Sequence, residues 1–219
     1  MKKNYWKIIA VILLAYTIIA GFLGDVPDIN GIHQTIRNLY FHVCMWFVMI
    51  IMLCISVVFS IKYLADFEQK NDIIAVEAAN TGILFGILGI VTGMLWAKFS
   101  WGQWWVNDSK LKGAAIGLLT YLAYIVLRNS LDDTGKRARI SAIYNIFAFV
   151  IFILFILILP KLSSASIHPG DGSDSPLPIL TIGSNMRIVF YPAILGWTLL
   201  ACWIMQLRIR YRNLRKNLS

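Results

Sequence analysis

The histidines are the first residues in this sequence that could do chemistry. There are three, His33, His42 and His168. A neutral imidazole is a good ligand for iron and other transition metals. A single histidine is more often structural than functional, so each of the three is only a candidate ligand until a neighbouring motif marks its segment.

Tryptophan is concentrated in one short stretch. Four of the eight tryptophans lie between positions 96 and 105, and the core of the stretch reads WGQWWVND at 101–108. On a helix, positions 101, 104, 105 and 108 share one face, so Trp101, Trp104 and Trp105 would form an aromatic wall that ends at Asp108. Such a wall suits a flat, apolar ligand. An aromatic belt at a membrane surface explains the tryptophans equally well, and Asp108 could also be the N-cap of the next helix.

The cysteines carry no recognisable motif. Cys44, Cys54 and Cys202 all fall inside apolar runs, and the sequence contains no CxxC or CxxCH. We therefore expect no zinc site, no redox dithiol and no covalent heme attachment.

The elements that must position these residues are membrane helices. Hydrophobic residues make up 58% of the chain and charged residues 14%, against roughly 25% charged in an ordinary soluble domain. A span needs about 20 apolar residues to cross about 30 Å of hydrocarbon. The apolar runs predict one all-α transmembrane domain over residues 1–219, with helices at about 8–24, 39–61, 75–97, 113–127, 140–159 and 188–207. The tryptophan stretch would add a short amphipathic helix on the outward-facing side.

The distribution of lysine and arginine predicts the orientation. One side of the predicted bundle carries 14 of them: Lys2, Lys3, Lys7, Lys62, Lys70, Arg128, Lys136, Arg137, Arg139, Arg208, Arg210, Arg212, Arg215 and Lys216. The other side carries six: Arg37, Lys98, Lys110, Lys112, Lys161 and Arg187. Cytoplasmic loops are enriched in these residues, so both termini should be inside. The net charge of +9 is then a sign of topology rather than of nucleic-acid binding.

Three segments would face outward, 25–38, 98–112 and 160–187, and together they carry His33, the tryptophan stretch and His168. The third is the longest and contains four prolines, so its middle should lack long regular structure. His42 would lie about one turn into the second helix, near the outer membrane surface.

The segment at 101–108, followed by Ser-Lys-Leu, resembles the tryptophan-rich WWD motif of heme-handling membrane proteins. It is most similar to the CcmC family of cytochrome c maturation, within the wider CcmC-CcsA group, whose motif is approximately WGxWWxWDxRL. The segment NLYFHV at 38–43 resembles the family's histidine segment, and IHPG at 167–170 falls where the family has its second histidine. Asn107 stands where the family usually has tryptophan, and Lys110 where it usually has arginine.

The resemblance implies a function and a site. It implies a protein of the bacterial inner membrane that binds heme b non-covalently on its periplasmic side and delivers it to the periplasmic heme chaperone CcmE, without being an enzyme. It implies the partners CcmD, CcmA and CcmB. His42 and His168 would be the axial iron ligands, and Trp101, Trp104, Trp105 and Asp108 the platform. Arg37 could contact a heme propionate, although an ordinary interfacial charge explains it equally well.

Three other functions are compatible with parts of the sequence. A synthase-type subunit would attach heme to apocytochrome, but such proteins usually have extra helices or a large outer domain. A heme-bearing anchor of a respiratory complex needs histidines deep within its helices, and only His42 is even partly intramembrane. A transporter should carry charged groups near the membrane centre, whereas Glu77 lies in the first turns of its helix, where an acid is favourable without a function.

Overall fold

The fold of this chain is a bundle of long helices. The computed structural model describes residues 4–27, 33–162, 167–168 and 183–218, apart from the side chains of His33 and of residues 216–218. The α-helices are α1 Tyr5–Leu23, α2 His42–Asp66, α3 Gln69–Trp101, α4 Ser109–Asn129, α5 Thr134–Ile153, α6 Leu159–Leu162 and α7 Ser184–Leu218. A 3-10 helix at His33–Tyr40 leads into α2, and a π-helical turn at Leu154–Ile158 joins α5 to α6. Among the described residues, six helical segments are long and apolar enough to cross a bilayer. The predicted all-α membrane bundle is therefore confirmed.

The helices are longer than the apolar runs that predicted them. The α3 helix contains 33 residues and α7 contains 35. At 1.5 Å per residue, α7 is about 52 Å long, well beyond the roughly 30 Å of a hydrocarbon core. An apolar run marks only the lipid-facing part of a helix, because the polar residues that follow can continue the same backbone hydrogen bonds.

The prediction of a short amphipathic helix over the tryptophan stretch is wrong. The α3 helix itself continues to Trp101 and ends there, because Gly102 adopts a left-handed conformation with φ 76°. Its N–H still donates to the Lys98 carbonyl, which closes the helix as a C-terminal glycine typically does. Residues 102–108 contain no helix, so positions 101, 104, 105 and 108 do not share a helical face.

The two ends of the bundle differ in chemistry. At the end we call the histidine end, α2 begins with His42, α3 finishes with Trp101 and α4 begins after Asp108. At the opposite, arginine end, α7 lies beside the first turns of α1 and α3. Trp203 contacts Trp6 there with ring centroids 6.4 Å apart, and the two oxygens of Glu77 each accept from one arginine of α7, Arg208 and Arg212, at 2.7 Å. The contacts of α1, α3 and α7 thus place both ends of the described chain at the arginine end.

A glycine face on α3 places α2. Gly82, Gly86, Gly89 and Gly93 follow one another at helical spacing and each lies against one side chain of α2, respectively Leu53, Met49, Trp46 and His42. A Cβ added at any of the four would approach these side chains to between 2.5 and 3.1 Å. Small residues let membrane helices approach closely. The α2–α3 pair is the most extensive helix contact of the bundle, and its register determines where His42 lies.

A buried ion pair joins α3 to α4 near the arginine end. The Arg128 guanidinium donates to both carboxylate oxygens of Asp72, at 2.8 and 2.6 Å. Both side chains are buried. Close by, the Asn145 amide of α5 donates to the hydroxyls of Ser56 and Ser60 on α2, both at 2.8 Å. These polar contacts fix four helices relative to one another.

Pro160 explains the π-helical turn at the end of α5. Proline has no N–H and its ring collides with the carbonyl four residues earlier, so a regular α-helix cannot pass through it unchanged. The chain widens over Leu154–Ile158 and resumes as the short α6, with Pro160 buried. Most of the long segment at 160–187 lies outside the described residues. The prediction that its middle lacks long regular structure concerns those residues and stays a prediction.

Candidate functional site

Asp108 is the centre of the site at the histidine end. It precedes α4 and its side chain accepts from the backbone N–H groups of Lys110 and Leu111, at 2.8 and 3.4 Å. This is the N-cap role that its position in the sequence left open. The residue is 1% exposed, so its carboxylate is held in one orientation inside the protein.

His168 lies on the same carboxylate. Its Nδ1 is 3.0 Å from the Asp108 Oδ1, and the N–H of Ile167 donates to Oδ2 at 2.9 Å. The imidazole also packs edge-on against Trp101, with ring centroids 5.1 Å apart, and lies 6.0 Å from the Trp96 ring. The structure therefore brings together three of the predicted site residues, His168, Trp101 and Asp108, although they come from three different segments.

His42 is positioned by α3. Its Nδ1 is 2.9 Å from the Gly89 carbonyl oxygen and 3.3 Å from the Thr92 hydroxyl. Its ring meets Trp46 edge-on at 6.4 Å. His168 contacts Trp96 and Trp101 farther along α3. The two predicted ligands thus both pack against the last turns of α3, at one end of the bundle.

Trp104 and Trp105 differ from Trp101. They lie in the non-helical segment that follows Gly102, and 53% and 41% of their surfaces are exposed. Large indole surfaces in this position can be covered by an apolar ligand, by lipid or by a partner protein. The distinction between a platform and an interfacial belt, left open by the sequence, therefore rests on these two residues.

Arg37 has structural partners. Its Nη1 donates to the carbonyl oxygens of Gly21 and Gly24 at the end of α1, and its Nε donates to Gln34 at 2.8 Å. A guanidinium in this place satisfies carbonyls that the helix itself leaves unpaired. The predicted propionate contact remains a prediction, and the structure adds a capping role for the same side chain.

The donor chemistry at the histidine end fits a heme. A carboxylate or a carbonyl can only accept, so His42 donates its Nδ1–H to the Gly89 carbonyl and His168 donates its Nδ1–H to the Asp108 carboxylate. In a neutral ring of this kind the lone pair is on Nε2. A metal-binding histidine typically donates its other N–H to a carboxylate or carbonyl in this way. Among the described residues, no three His, Cys, Asp or Glu side chains converge as a bare metal ion would require. Heme needs only two axial ligands from the protein and an apolar surface for its ring.

Several residues of the site were missed from the sequence. Trp96 packs edge-on against Trp101 with ring centroids 4.7 Å apart, and Gly89, Thr92 and Gly93 surround the His42 ring. A signal for the second group was present, because glycines at 82, 86, 89 and 93 mark a close-contact face on a helix. The predicted helix ended at about 97, and nothing in the sequence indicates that α3 continues to Trp101 or that this end of it meets His168.

Three curated relatives illustrate the similarity of this chain to known proteins. The chain is 28% identical over 142 residues to "Heme exporter protein C" of Haemophilus influenzae, covering 65% of this chain and 56% of the relative. It is 31% identical over 134 residues to "Heme exporter protein C" of Bradyrhizobium diazoefficiens, covering 61% and 50%. It is 36% identical over 84 residues to "Cytochrome c biogenesis protein CcsA" of Prochlorococcus marinus, covering 38% and 27%. The chain thus spans about half the length of the first two relatives and less of the third.

The family comparison covers far more of the chain. The model of the family described as "CcmC: Heme exporter protein C" matches residues 2–219. This match includes both histidine segments, the tryptophan stretch and all six membrane-spanning helices. The chain therefore belongs to the heme exporter protein C family.

Proposed function

We propose that this protein binds heme b at the histidine end and delivers it to the periplasmic heme chaperone CcmE for the maturation of c-type cytochromes. His42 and His168 would be the axial ligands of the iron. The observation that carries the proposal is the Asp108–His168 pair, at 3.0 Å beside Trp101, in a chain of this family. A buried carboxylate that orients an imidazole among indole rings is suited to a metal bound within a flat, apolar macrocycle.

The remaining parts of the proposal concern the setting. The site would face the periplasm from a bacterial inner membrane, as the 14 to 6 distribution of basic residues predicts. CcmD and the transporter subunits CcmA and CcmB would be partners in the release of the loaded chaperone. The protein would not itself be an enzyme, since delivery needs only reversible binding and release and no covalent attachment of the heme by this protein.

Delivery sets a physical requirement on the site. Heme must be held firmly enough to be collected and loosely enough to leave. Two ligands on separate segments meet this requirement, because His42 lies on the closely packed α2–α3 pair whereas His168 is held through Asp108, Trp96 and Trp101. Contacts between the ring and the tryptophans do not depend on the iron, so they could retain the heme while axial ligands are exchanged.

The test uses the full chain purified in mild detergent. We expect an absorption spectrum with a Soret band and heme b that is extractable into pyridine. His42→Ala and His168→Ala should each weaken heme retention, and His33→Ala serves as the matched control. If His33→Ala removes the heme spectrum while His168→Ala does not, the ligand assignment is wrong.

A second function deserves a direct test because of the similarity to CcsA. A synthase-type subunit would transfer heme to the cysteines of an apocytochrome. The heme-loaded protein is therefore incubated separately with the soluble domain of the chaperone and with a reduced apocytochrome c. Transfer to the chaperone alone supports delivery. Heme that becomes covalently attached to the apocytochrome without the chaperone would establish the synthase activity instead.

A further inference from the structure

One turn of α3 forms a seat around the His42 side chain. The Gly89 carbonyl oxygen and the Thr92 hydroxyl lie 2.9 and 3.3 Å from Nδ1. Gly93 lies beneath the ring, since a Cβ at this position would come within 2.6 Å of the His42 Cε1 and 3.1 Å of Nδ1. Residues 89, 92 and 93 therefore contact the same imidazole from one face of one helix.

The hydrogen bonds of the seat select one tautomer. A carbonyl oxygen can only accept, so Gly89 requires a proton on Nδ1. The Thr92 hydroxyl lies 2.7 Å from the Leu88 carbonyl oxygen and 3.2 Å from that of Gly89. Its proton is therefore used within α3, and its lone pairs face the histidine. If the ring were protonated only on Nε2, the lone pair of Nδ1 would face the lone pairs of both oxygens and repel them.

Thr92 is itself held in place from a neighbouring segment. Its carbonyl oxygen accepts from the Asn38 side-chain amide at 3.2 Å. Asn38 belongs to the 3-10 helix that leads into α2, four residues before His42. A second bond between the same elements, Thr35 to Ser100 at 3.0 Å, keeps the 3-10 helix on α3. The position of Thr92 relative to His42 is therefore fixed by two elements.

We propose that the turn Gly89–Gly93 holds the His42 imidazole as its Nδ1–H tautomer, with Thr92 as a positioning residue. The lone pair of a neutral ring is then on Nε2 before any ligand arrives, so a metal centre meets a ligand that needs neither deprotonation nor rotation. The use of this seat for heme rests on the proposed function, whereas the tautomer is a property of the chain alone.

The test reads the tautomer in the absence of heme. The full chain is labelled with ¹⁵N-histidine in detergent, and the ring nitrogens are observed by NMR at a pH where the rings are neutral. With only three histidines in the sequence, His33→Gln and His168→Gln variants assign the signals. We expect His42 to have its proton on Nδ1. A proton on Nε2 in the wild-type protein overturns the proposal.

Variants isolate the part played by Thr92. Thr92→Val keeps the shape but removes the acceptor, so the Nδ1–H population of His42 should fall, and Thr92→Ser should restore it. Thr120→Val is the matched control, because the Thr120 hydroxyl also donates to a carbonyl of its own helix but lies on α4. Unchanged His42 signals in Thr92→Val would remove Thr92 from the mechanism.

Gly93→Ala tests the steric part of the seat. The added methyl should displace the ring and change the His42 signals, whereas Gly82→Ala, which crowds Leu53 instead, should not. If Gly93→Ala fails to fold, the Thr92 variants still decide the question. His42 signals that do not move in a folded Gly93→Ala protein would contradict the close packing.

Heme titration separates this proposal from the proposed function. In the heme-loaded protein Thr92→Val should lower heme affinity by roughly 10- to 100-fold, as loss of an outer-shell partner typically does, and Thr92→Ser should recover it. If the wild-type protein has the Nδ1–H tautomer and His42→Ala keeps full heme affinity, the seat is supported and the ligand role is refuted. If the wild-type protein has its proton on Nε2 and His42→Ala loses heme, the seat is refuted and the ligand role stands.

Discussion

At the scale of single residues, Asp108 combines two tasks that are usually separate. Its Oδ1 accepts from two backbone N–H groups of α4 and also from the His168 ring, while Oδ2 accepts from Ile167. The first task stabilises a helix and the second orients a candidate ligand. Because asparagine is as good an N-cap as aspartate, the two tasks can be separated by substitution.

We therefore predict different results for Asp108→Asn and Asp108→Ala. Asp108→Asn should keep the α4 cap and so lose less stability than Asp108→Ala, but it should lower heme affinity by roughly 10- to 100-fold, because it removes the charged acceptor of His168. Asp108→Ala should show the same loss and in addition destabilise the protein by about 1 kcal/mol through the lost cap. Heme titration and thermal unfolding measure the two effects. Wild-type heme affinity in Asp108→Asn would exclude a role for the carboxylate charge.

The exposed tryptophans lead to a second prediction. If heme covers them, Trp104→Ala and Trp105→Ala should each lower heme affinity by roughly 2- to 10-fold, which corresponds to 0.5–1.5 kcal/mol for a well-placed ring. The melting temperature of the heme-free protein should change little, since both side chains are already about half exposed. Phe99→Ala is the control, because Phe99 is 74% exposed on the last turns of α3. Full heme affinity and full transfer in both tryptophan variants would make the segment an interfacial belt.

At the scale of elements, the bundle depends on polar contacts between helices. In a bilayer, lipid is as apolar as leucine, so burial of apolar side chains gives little drive for helices to associate. Close packing at the glycine face of α3 and the pairs Asp72–Arg128 and Glu77–Arg208 supply attraction and register instead. All of these contacts involve α3, which is thus the helix that organises the others.

A third prediction concerns the Asp72–Arg128 pair. Arg128→Leu should destabilise the protein by about 3–5 kcal/mol, because it leaves the Asp72 carboxylate buried without its partner. The double variant Asp72→Leu with Arg128→Leu should regain most of that loss. Thermal unfolding in detergent measures both. Should the double variant be less stable than Arg128→Leu alone, the pair would contribute more than the desolvation of its charges.

At the scale of the whole molecule, the structure distinguishes a histidine end from an arginine end. Which side of the membrane each end faces is a prediction from the sequence. The basic residues predict that the arginine end is cytoplasmic and the histidine end periplasmic. With the three native cysteines replaced, single cysteines at the exposed positions Gln103 and Arg215 test this with an impermeant thiol reagent in spheroplasts. We expect labelling at 103 and none at 215 until the membrane is opened. The reverse pattern would place the histidine end on the cytoplasmic side of the membrane.

Much of the fold could be predicted from the sequence, because an apolar run long enough to span a bilayer has few alternatives to a helix. The ends of the helices could not be predicted in the same way, since the residues that follow an apolar run are polar in either case. The tryptophan stretch was mispredicted for this reason. Its period fits a helical face, but Gly102 ends α3 and separates Trp101 from Trp104 and Trp105.

The sequence predicted which residues belong to the candidate site better than it predicted how they are arranged. The resemblance supplied His42, His168 and Asp108, but the contacts between them depend on segments far apart in the chain. Asp108 and His168 are 60 positions apart, and His42 and Thr92 are 50 apart. No local pattern encodes such pairs, because they follow from how long helices pack against one another.

The shared carboxylate of Asp108 couples the state of His168 to the breathing of α4. Local opening of the first turn of that helix requires Lys110 and Leu111 to give up the oxygen on which the His168 ring also rests. Anything that immobilises the ring should keep this oxygen in place and make opening rarer. Hydrogen–deuterium exchange of the amides at 110 and 111 should therefore slow when heme is held and quicken once it has been handed on, so a backbone measurement could follow the occupancy of a site that contains no backbone ligand.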